Sequence, residues 1–396
     1  MRRAFIHANV IDVLHKRILE NYSVIVEDGK IAEVSENPDL SAVTDVIDLD
    51  GKYLSPGLFN CHVHVGMEPV ANPADFAHES IVTYTLTGVK HLEDFINTGV
   101  TFVRDVGTKH KVAIELMHAV EDGKIKKAPD MQAAGDGICM TGGTGWTFIS
   151  VEADGVDGLR KAARQQLKNG ANVLKLMATG GVLTKGTEPG AVQLSVEEMK
   201  AAVDEFHKVG YSTCCHAESA QGVKNAILAG SDCIEHGDEL DDEAIEMMLE
   251  RNIPLDGTVS TIFFFLENKD KLEEEFVIKS EESKRKVRKS FKKAYQAGIL
   301  CGLGTDCGCS FCNHTDTAYE MVVLVEECEI TPFDAMIIGT INSAKICGVE
   351  DTLGSVTVGK KAHFAVFEED PTKDIRASLN CVMTVKNGEI LYKKAQ

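Results

Sequence analysis

The sequence is short of positive charge and of long apolar runs, and each shortage excludes a class of protein. Its 396 residues contain 41 Lys and Arg against 61 Asp and Glu, a formal net charge of −20. Phosphate backbones and anionic membrane surfaces would be repelled by such a chain. No stretch approaches the roughly 18–20 apolar residues that span a bilayer. We therefore expect no nucleic-acid or membrane partner, and a small molecule as the substrate.

The sequence also lacks a recognisable secretory signal. His7, Asn9 and Asp12 interrupt the N-terminal segment where the apolar core of a signal peptide would lie. The twelve cysteines are therefore expected to be reduced thiols rather than a disulfide framework. An apolar share of 44% and a charged share of 26% are typical of a globular chain. These features predict a cytoplasmic, globular enzyme.

The middle of the chain alternates strand-like and helix-like segments, whereas both ends contain mainly strand-like ones. Eight βα units in one domain predict an α/β fold, a (β/α)8 TIM barrel over residues 57–346. The sequence also predicts a small discontinuous β-sandwich, formed by residues 1–56 and 347–396, with hairpin turns such as Asp28-Gly29. A barrel that carries such an edge-rich domain is expected to form a homo-oligomer. The predicted barrel strands are 57–64, 101–105, 131–134, 173–177, 212–216, 233–236, 253–255 and 299–306.

Two histidines lie at the end of the first predicted barrel strand, in Asn60-Cys61-His62-Val63-His64. Residues two apart in a strand point to the same face, so His62 and His64 would project side by side at the mouth of the barrel. The C-terminal ends of barrel strands carry catalytic groups. An isolated HxH pair is a weak motif, and two ordinary histidines are the alternative.

Three further residues that could bind a metal end other predicted strands. They are His216, His236 and Asp306. A single histidine after an apolar run is usually a hydrogen-bonded core residue, but four histidines and an aspartate at strand ends are hard to explain that way. Neutral imidazoles with a carboxylate are the ligands of a catalytic zinc-type site. The sequence therefore predicts a divalent metal centre.

Lys175 lies inside an apolar predicted strand. A charged ammonium in such a strand costs several kcal/mol unless it is paired. The side chain either reaches water at the strand end or stays as a free amine that can react with CO2. The resulting carbamate has two oxygens and could bridge two cations.

Nearly the whole chain resembles the amidohydrolase superfamily of metal-dependent hydrolases. The most similar branch is the imidazolonepropionase-related group, which includes prolidase-like Xaa-Pro and Xaa-Arg dipeptidases. The resemblance implies that His62, His64 and Asp306 bind one metal. It implies that His216 and His236 bind a second metal and that carboxylated Lys175 bridges both. The matching stretches are residues 48–60, 99–105, 174–182, 216–218, 234–237, 304–306 and 387–388.

The resemblance also implies the chemistry. Two divalent ions, zinc by preference, would activate a bridging water, and Asp306 would take its proton as general base and return it to the leaving nitrogen. The substrate class favoured by this branch is a dipeptide or an N-acyl amino acid.

Four residues are candidates for substrate binding. Thr144 stands in Gly-Gly-Thr-Gly where dipeptidases of this branch usually carry Gly-Gly-His-Gly, and Ile262 stands where they carry a tyrosine that holds the substrate carboxylate. Trp146, the single tryptophan, would form an apolar wall of the pocket or pack in its loop. Glu218 follows the proposed ligand His216. These departures affect substrate recognition rather than the metals.

Three other functions stay open from the sequence. A mononuclear deaminase would carry a glutamate three residues after the third histidine, whereas Glu218 follows His216 by two and Lys175 is present. Opening of a cyclic amide, as in imidazolonepropionase, would use the same metals and base. A non-catalytic small-molecule binding protein would have lost at least one ligand, and none is missing. In the loop after Asp306, the residues Cys307, Cys309, Cys312 and His314 form half of a metal motif. A thiol-rich pocket rim or a chance arrangement is favoured over a metal site there.

Overall fold

The computed structural model describes residues 2–395. Within this range, strands and helices alternate through the middle of the chain. The strands are β1 (Arg2–Asp12), β2 (Arg17–Glu27), β3 (Lys30–Ser35), β4 (Asp45–Asp48), β5 (Tyr53–Pro56), β6 (Leu58–Val63), β7 (Val100–Asp105), β8 (Asp130–Ala133), β9 (Gly137–Cys139), β10 (Ser150–Glu152), β11 (Val173–Met177), β12 (Ser212–Ala217), β13 (Cys233–His236), β14 (Leu255–Asp256), β15 (Cys301–Gly302), β16 (Phe364–Phe367), β17 (Cys381–Lys386) and β18 (Glu389–Lys393). The α-helices are α1 (Pro73–Phe76), α2 (Ile81–Asn97), α3 (Val112–Glu121), α4 (Gly155–Asn169), α5 (Val196–His207), α6 (Ala220–Ala229), α7 (Asp242–Arg251), α8 (Ser260–Glu267), α9 (Glu274–Ala297), α10 (Thr317–Cys328), α11 (Pro332–Ile337) and α12 (Ser343–Ile346).

Eight parallel strands, β6 to β8 and β11 to β15, form the barrel. β6 to β8 pair in chain order, and so do β11 to β15. The two groups meet where the Asn172 N–H donates to Ala133 O over 3.1 Å and where the Cys61 N–H donates to Leu303 O over 2.7 Å. Strands β6, β7 and β11 are buried along their whole length, as expected where helices cover a parallel sheet. The predicted α/β barrel is therefore confirmed.

The last two barrel strands are shorter than the sequence predicts. β14 and β15 have two residues each, against predicted runs of 253–255 and 299–306. After Gly302 the chain leaves the sheet, and the Asp306 N–H instead donates to His62 O over 2.9 Å. Asp306 thus lies in a turn beside the end of β6, which brings it close to the two histidines of that strand.

The two ends of the chain pair with each other in one sheet. β1 runs antiparallel to β2 and parallel to β4 and β5, and β5 pairs with β16 of the C-terminal segment. The hairpin turns Asp28-Gly29 and Asn387-Gly388 have positive φ at both positions, which the tight turns of β-hairpins require. The eight strands of the two terminal segments, β1 to β5 and β16 to β18, belong to one sheet. Its description as a sandwich stays a prediction, as do the domain boundaries.

Partly buried ion pairs join this terminal sheet to the N-terminal end of the barrel. Asp130, at the start of β8, accepts from Lys386 over 2.8 Å and from Lys361 over 3.0 Å. Lys386 also donates to Ala128 O over 2.9 Å.

No helix within residues 2–395 has both the length and the apolarity needed to cross a bilayer.

Candidate metal centre

One cavity at the C-terminal end of the barrel brings together all six residues predicted as metal ligands. Its wall combines these polar groups with apolar side chains from the loops. The six residues are His62, His64, Lys175, His216, His236 and Asp306.

Asp306 faces the two histidines of β6. Its Oδ1 is 2.9 Å from His64 Nε2 and 3.4 Å from His62 Nε2, and these three ligand atoms lie close enough together to hold one cation. Burial opposes ionisation of Asp306, but His62 and His64 outweigh it and hold the pKa of this carboxyl well below its usual value. Asp306 is therefore a carboxylate at neutral pH.

The other ring nitrogens of these histidines are bound to acceptors. His64 Nδ1 is 2.6 Å from Gly107 O, and His62 Nδ1 is 2.7 Å from a carboxylate oxygen of Glu235. A carbonyl and a carboxylate only accept, so both Nδ1 atoms carry a proton. A ring whose single proton is on Nδ1 has a lone pair on Nε2. The two Nε2 atoms and the Asp306 oxygen are therefore suited to share one cation.

His216 and His236 form the other side of the centre. Their ring centroids are 4.5 Å apart, and the centroid of His236 is 4.9 Å from that of His62. Burial lowers the pKa of His216 to about 3 and that of His236 well below its usual value, so both rings are neutral at pH 7. Thr258 Oγ1 is 2.8 Å from His236 Nδ1 and orients that ring, whereas His216 Nε2 is 3.2 Å from Gly180 O.

Lys175 lies on β11 at the floor of the cavity. Its side chain is 1% exposed, and its Nζ has no hydrogen-bond partner among the described residues. Of the two alternatives, a lysine that reaches water at the strand end is therefore excluded. A buried amine without a partner is costly, so this atom calls for a group that the chain itself does not supply.

Three residues around the centre have strained backbones. His236, Thr258 and Asp306 have φ values of 71°, 44° and 56°, in the left-handed region that residues with a Cβ rarely adopt. Thr258 is β-branched, which makes this conformation still less favourable. Such strain concentrates at functional sites, and here it turns the chain so that two of the candidate ligands face the cavity.

A buried charge network that the sequence analysis missed supports His62. Glu235 on β13 binds His62 with one oxygen, and its other oxygen accepts from Arg104 Nη2 on β7 over 2.8 Å. Both side chains are almost completely buried. Charged residues inside two apolar predicted strands were the signal that could have revealed this pair. Carboxylates that hold a ligand histidine in this way fix its orientation and raise its basicity.

Asp256 on β14 adjoins this pair. Its oxygens have no hydrogen-bond partner among the described residues, and Arg104 Nη2 is 3.5 Å away. Burial and the neighbouring Glu235 raise the pKa of Asp256 well above its usual value. A cation could also lie between His62, Glu235 and Asp256 by geometry. That cation would compete with the Arg104 guanidinium, which is already bound to Glu235. We therefore assign Glu235 and Asp256 to the support of His62 rather than to a separate metal site.

The structure places three of the four candidate substrate-binding residues at the cavity. Thr144, Ile262 and Glu218 line it, and the Thr144 hydroxyl donates to Thr179 O over 2.8 Å. Trp146 is not among the lining residues, and 43% of it is exposed, because its loop turns the indole outward. The structure therefore does not give Trp146 the predicted place in the pocket wall.

The cysteine-rich loop after Asp306 does not form a metal site of its own. Cys309 lines the cavity, and its Sγ is 3.3 Å from Asp306 Oδ1. The ring of His314 instead stacks on His91 with centroids 3.6 Å apart. Among the described residues, the groups with ligand geometry contain no cysteine. The loop is a thiol-containing part of the cavity rim, which was one of the two favoured interpretations.

Comparisons with known proteins give the chain its family. Ochratoxinase from Aspergillus niger is 28% identical over 398 residues, which cover 90% of this chain and 79% of that protein. An imidazolonepropionase from Fusobacterium nucleatum is 23% identical and covers 95% of this chain and 93% of its own length. The crystal structure of a Xaa-Pro dipeptidase with bound methionine covers both chains completely, with a TM-score of 0.91 and 28% identity.

These relatives confirm the resemblance that the motifs indicated, and they exclude the non-catalytic alternative. The expectation of an enzyme that hydrolyses carbon–nitrogen bonds is confirmed with them. The family generally binds divalent metals, and the cavity described above contains candidate ligand groups. The model of the amidohydrolase family matches residues 53–391, and the chain therefore belongs to the amidohydrolase family.

Proposed function

We propose that the protein is a metal-dependent hydrolase that cleaves an amide bond of a small substrate at this centre. The observation that carries the proposal is the convergence of His62 Nε2, His64 Nε2 and Asp306 Oδ1, with N–O separations of 3.4 and 2.9 Å. In rings that carry their single proton on Nδ1, the two Nε2 atoms have lone pairs, and the carboxylate oxygen is anionic. All three atoms would stabilise a divalent cation placed between them.

The remaining ligand residues fit a second divalent ion. His216 and His236 are neutral, nitrogen-donating side chains, and Lys175 Nζ is buried without a partner. A neutral lysine amine adds CO2 and releases one proton, which gives a carbamate anion with two oxygens. Carboxylated Lys175 would thus supply a negative charge to two cations from one buried position, and it would remove an unpartnered amine. Imidazole and carboxylate ligands suit zinc.

The metals, when bound, would polarise the amide carbonyl and make water a better nucleophile at neutral pH. Asp306 would take a proton from the attacking water, because its carboxylate faces the cavity and its pKa lies well below neutrality. The same group, once protonated, would deliver that proton to the leaving nitrogen. Glu235 and Thr258 would hold the rings of His62 and His236 in place during these steps.

The substrate that we propose is a dipeptide or an N-acyl amino acid. The likeness to a Xaa-Pro dipeptidase and to ochratoxinase supports this class. Opening of a cyclic amide is the second candidate, supported by the likeness to imidazolonepropionase. Cleavage of either amide would use the same water-activating residues.

Metal content tests the proposal. Protein produced with bicarbonate and zinc should hold about two equivalents of metal by plasma mass spectrometry, as a site with this ligand set predicts. Lys175→Ala should hold one or none and lose amide hydrolysis, and a short carboxylate such as formate should restore part of both.

The control is Lys279→Ala, which removes another buried lysine whose amine donates to Thr187 O over 2.6 Å and to Glu275. This variant should keep both metals. One equivalent that is independent of Lys175 would contradict the carbamate and favour the mononuclear deaminase. Absence of bound metal from the wild-type protein would overturn the proposal.

A further inference from the structure

Two buried thiols lie in contact where the first barrel strand meets the last helix. The sulfur atoms of Cys61, on β6, and of Cys347, the residue after α12, are 3.6 Å apart. All twelve cysteines are free and buried, but among the described residues this is the only hydrogen bond between two cysteine sulfurs. The proposed hydrolytic reaction uses neither thiol.

The two sulfurs are enclosed by apolar side chains, so no polar group of the chain separates them. The gap between them exceeds an S–S bond of about 2.05 Å by about 1.5 Å. A small movement would therefore bring them to bonding distance. The apolar residues of this cluster are Phe59, Phe102, Ala344 and Leu353.

The end of α12 is the part of the chain that can make this movement. Cys61 is held on both sides, because its N–H donates to Leu303 O over 2.7 Å and its carbonyl accepts from Arg104 Nε over 2.7 Å. Cys347 follows a helix of four residues and precedes Gly348, which is exposed and has a φ of 66°. We therefore expect β6 to stay in place while Cys347 moves towards it.

A cavity at the N-terminal end of the barrel borders one member of the pair. Its wall includes Ser212, the first residue of β12, and it includes Cys347 but not Cys61. Gln132, another wall residue, donates to Cys347 O over 3.0 Å. Cys347 is 3% exposed, whereas Cys61 is fully buried. A small molecule that enters this cavity would therefore meet Cys347 first.

We propose that Cys61 and Cys347 form a site of reversible disulfide formation by a small peroxide. The Cys347 sulfur attacks one oxygen of hydrogen peroxide, the O–O bond breaks, and the departing hydroxide leaves as water with the thiol proton. This step gives a sulfenic acid on Cys347. The Cys61 sulfur then attacks the Cys347 sulfur, the S–O bond breaks, and a second water leaves with the Cys61 proton. Two thiols and one peroxide thus give one disulfide and two waters, and a dithiol reverses the bond.

The site is independent of the proposed function, because it needs neither a metal nor an amide substrate. The bond would join β6 to a residue 286 positions further along the chain. Disulfides that form in reducing compartments are usually transient and respond to oxidants. A pair that is reduced at rest and closes when peroxide is present fits that pattern.

Peptide mass spectrometry tests the site in the full-length protein. Folded protein is treated with hydrogen peroxide, unfolded in the presence of an alkylating reagent and digested without reductant. We expect a cross-linked peptide that contains Cys61 and Cys347, lighter by two hydrogen atoms than the two thiol peptides together. It should exceed any other cysteine cross-link by about tenfold or more, because contact makes the second step intramolecular. Dithiothreitol should convert it back to the two thiol peptides.

Two outcomes of this experiment would overturn the proposal. The first is alkylation of both thiols to the same extent with and without peroxide. The second is oxidation of Cys347 to a sulfinic acid with no cross-link to Cys61, which would show that the sulfurs cannot meet.

Single substitutions separate the two steps. In Cys61→Ser the sulfenic acid on Cys347 has no thiol to condense with, so dimedone, which traps sulfenic acids, should label Cys347 about tenfold more than in the wild type. In Cys347→Ser, Cys61 should stay unlabelled, because it does not border the cavity. Labelling of Cys61 in that variant would contradict the proposed order of attack. If a variant does not fold, as judged by circular dichroism, the wild-type cross-link decides.

Cys381→Ser is the matched control. Cys381 on β17 is also buried, but its sulfur contacts Met383 O and Thr384 Oγ1 rather than another cysteine. This variant should form the cross-link between Cys61 and Cys347 to the same extent as the wild type. A cross-link in protein that hydrolyses no amide would keep the disulfide site and contradict the hydrolase proposal. Amide hydrolysis by protein that forms no cross-link would overturn the disulfide site alone.

Discussion

The two ends of the barrel bury charge in opposite ways. At the N-terminal end, Asp130 binds Lys361 and Lys386, so both signs of charge are matched within the chain. At the C-terminal end, Lys175 Nζ and Glu218 Oε2 have no hydrogen-bond partner among the described residues. The N-terminal cluster is the more exposed of the two, since the side chains of Asp130 and Lys361 are 23% and 41% exposed, and yet its charges are the ones that are paired.

The comparison separates two kinds of charged side chain. Some are paired within the chain and stabilise the fold, and others have no partner in the chain and are available to a ligand. A buried pair that is complete costs stability when one partner is removed, because the other charge is left uncompensated. A buried polar atom that the chain leaves incomplete lowers stability in the free protein and is compensated when a metal or substrate binds. The same type of substitution should therefore have different consequences at the two ends of the barrel.

The largest effect is expected for Asp306→Asn at the cavity. The amide keeps the shape of the side chain but can neither accept the proton of water nor balance a cation. We expect kcat/KM for a hydrolysed amide to fall by about 10²- to 10⁴-fold, with loss of at least one metal by mass spectrometry. Activity within tenfold of the wild type would remove Asp306 from the proposed mechanism.

An intermediate case is Glu235→Gln, because Glu235 joins a buried pair to a candidate ligand. The substitution removes the carboxylate that Arg104 contacts over 2.8 Å, leaves Arg104 with the more distant Asp256 at 3.5 Å, and weakens the hydrogen bond to His62. Denaturant unfolding of the metal-free protein should show a loss of about 3–5 kcal/mol, and metal titration should show about 10- to 100-fold weaker binding.

Exposed Glu239→Gln is the control for both measurements on Glu235. A stability loss with unchanged metal affinity would assign Glu235 to the fold alone. Glu235 would then resemble Asp130, whose ion pairs stabilise the fold.

The sequence predicts the barrel and the candidate ligands because both follow from local patterns. Apolar runs with polar residues at their ends mark the strands, and parallel strands bring those ends together. His62 and His64 illustrate this, since their spacing alone puts them on one face. The shortness of β15 could not be predicted, because residues 299–306 are apolar enough for a strand and only the closure of the ring shows where pairing stops.

The support of the site is harder to predict because it depends on contacts between distant segments. Arg104 and Glu235 are 131 positions apart, and nothing local pairs them. The sequence leaves open whether Trp146 forms the pocket wall or packs in its loop, because side-chain direction in a loop depends on the backbone of each turn. Residue types at strand ends are thus predictable, whereas the direction of loop side chains is not.

The smallest effect is expected for Asp130→Asn, the counterpart of Asp306→Asn at the other end of the barrel. Burial raises the pKa of Asp130, but His363, Lys386 and Lys361 outweigh it and lower that pKa from 3.8 to about 2. A folded-state pKa below the unfolded value stabilises the protein above about pH 4, and this contribution is lost as the pH falls towards 2. The difference of nearly two pKa units corresponds to about 2.5 kcal/mol.

The variant should therefore unfold about 2.5 kcal/mol more easily at pH 7 and converge with the wild type near pH 2. It should hydrolyse amides at pH 7 within about twofold of the wild-type rate, because these ion pairs stabilise the fold and take no part in the chemistry. A stability deficit that persists unchanged to pH 2 would contradict a role for the Asp130 charge in stability. A loss of activity in a fully folded variant would contradict the conclusion that Asp130 takes no part in the chemistry.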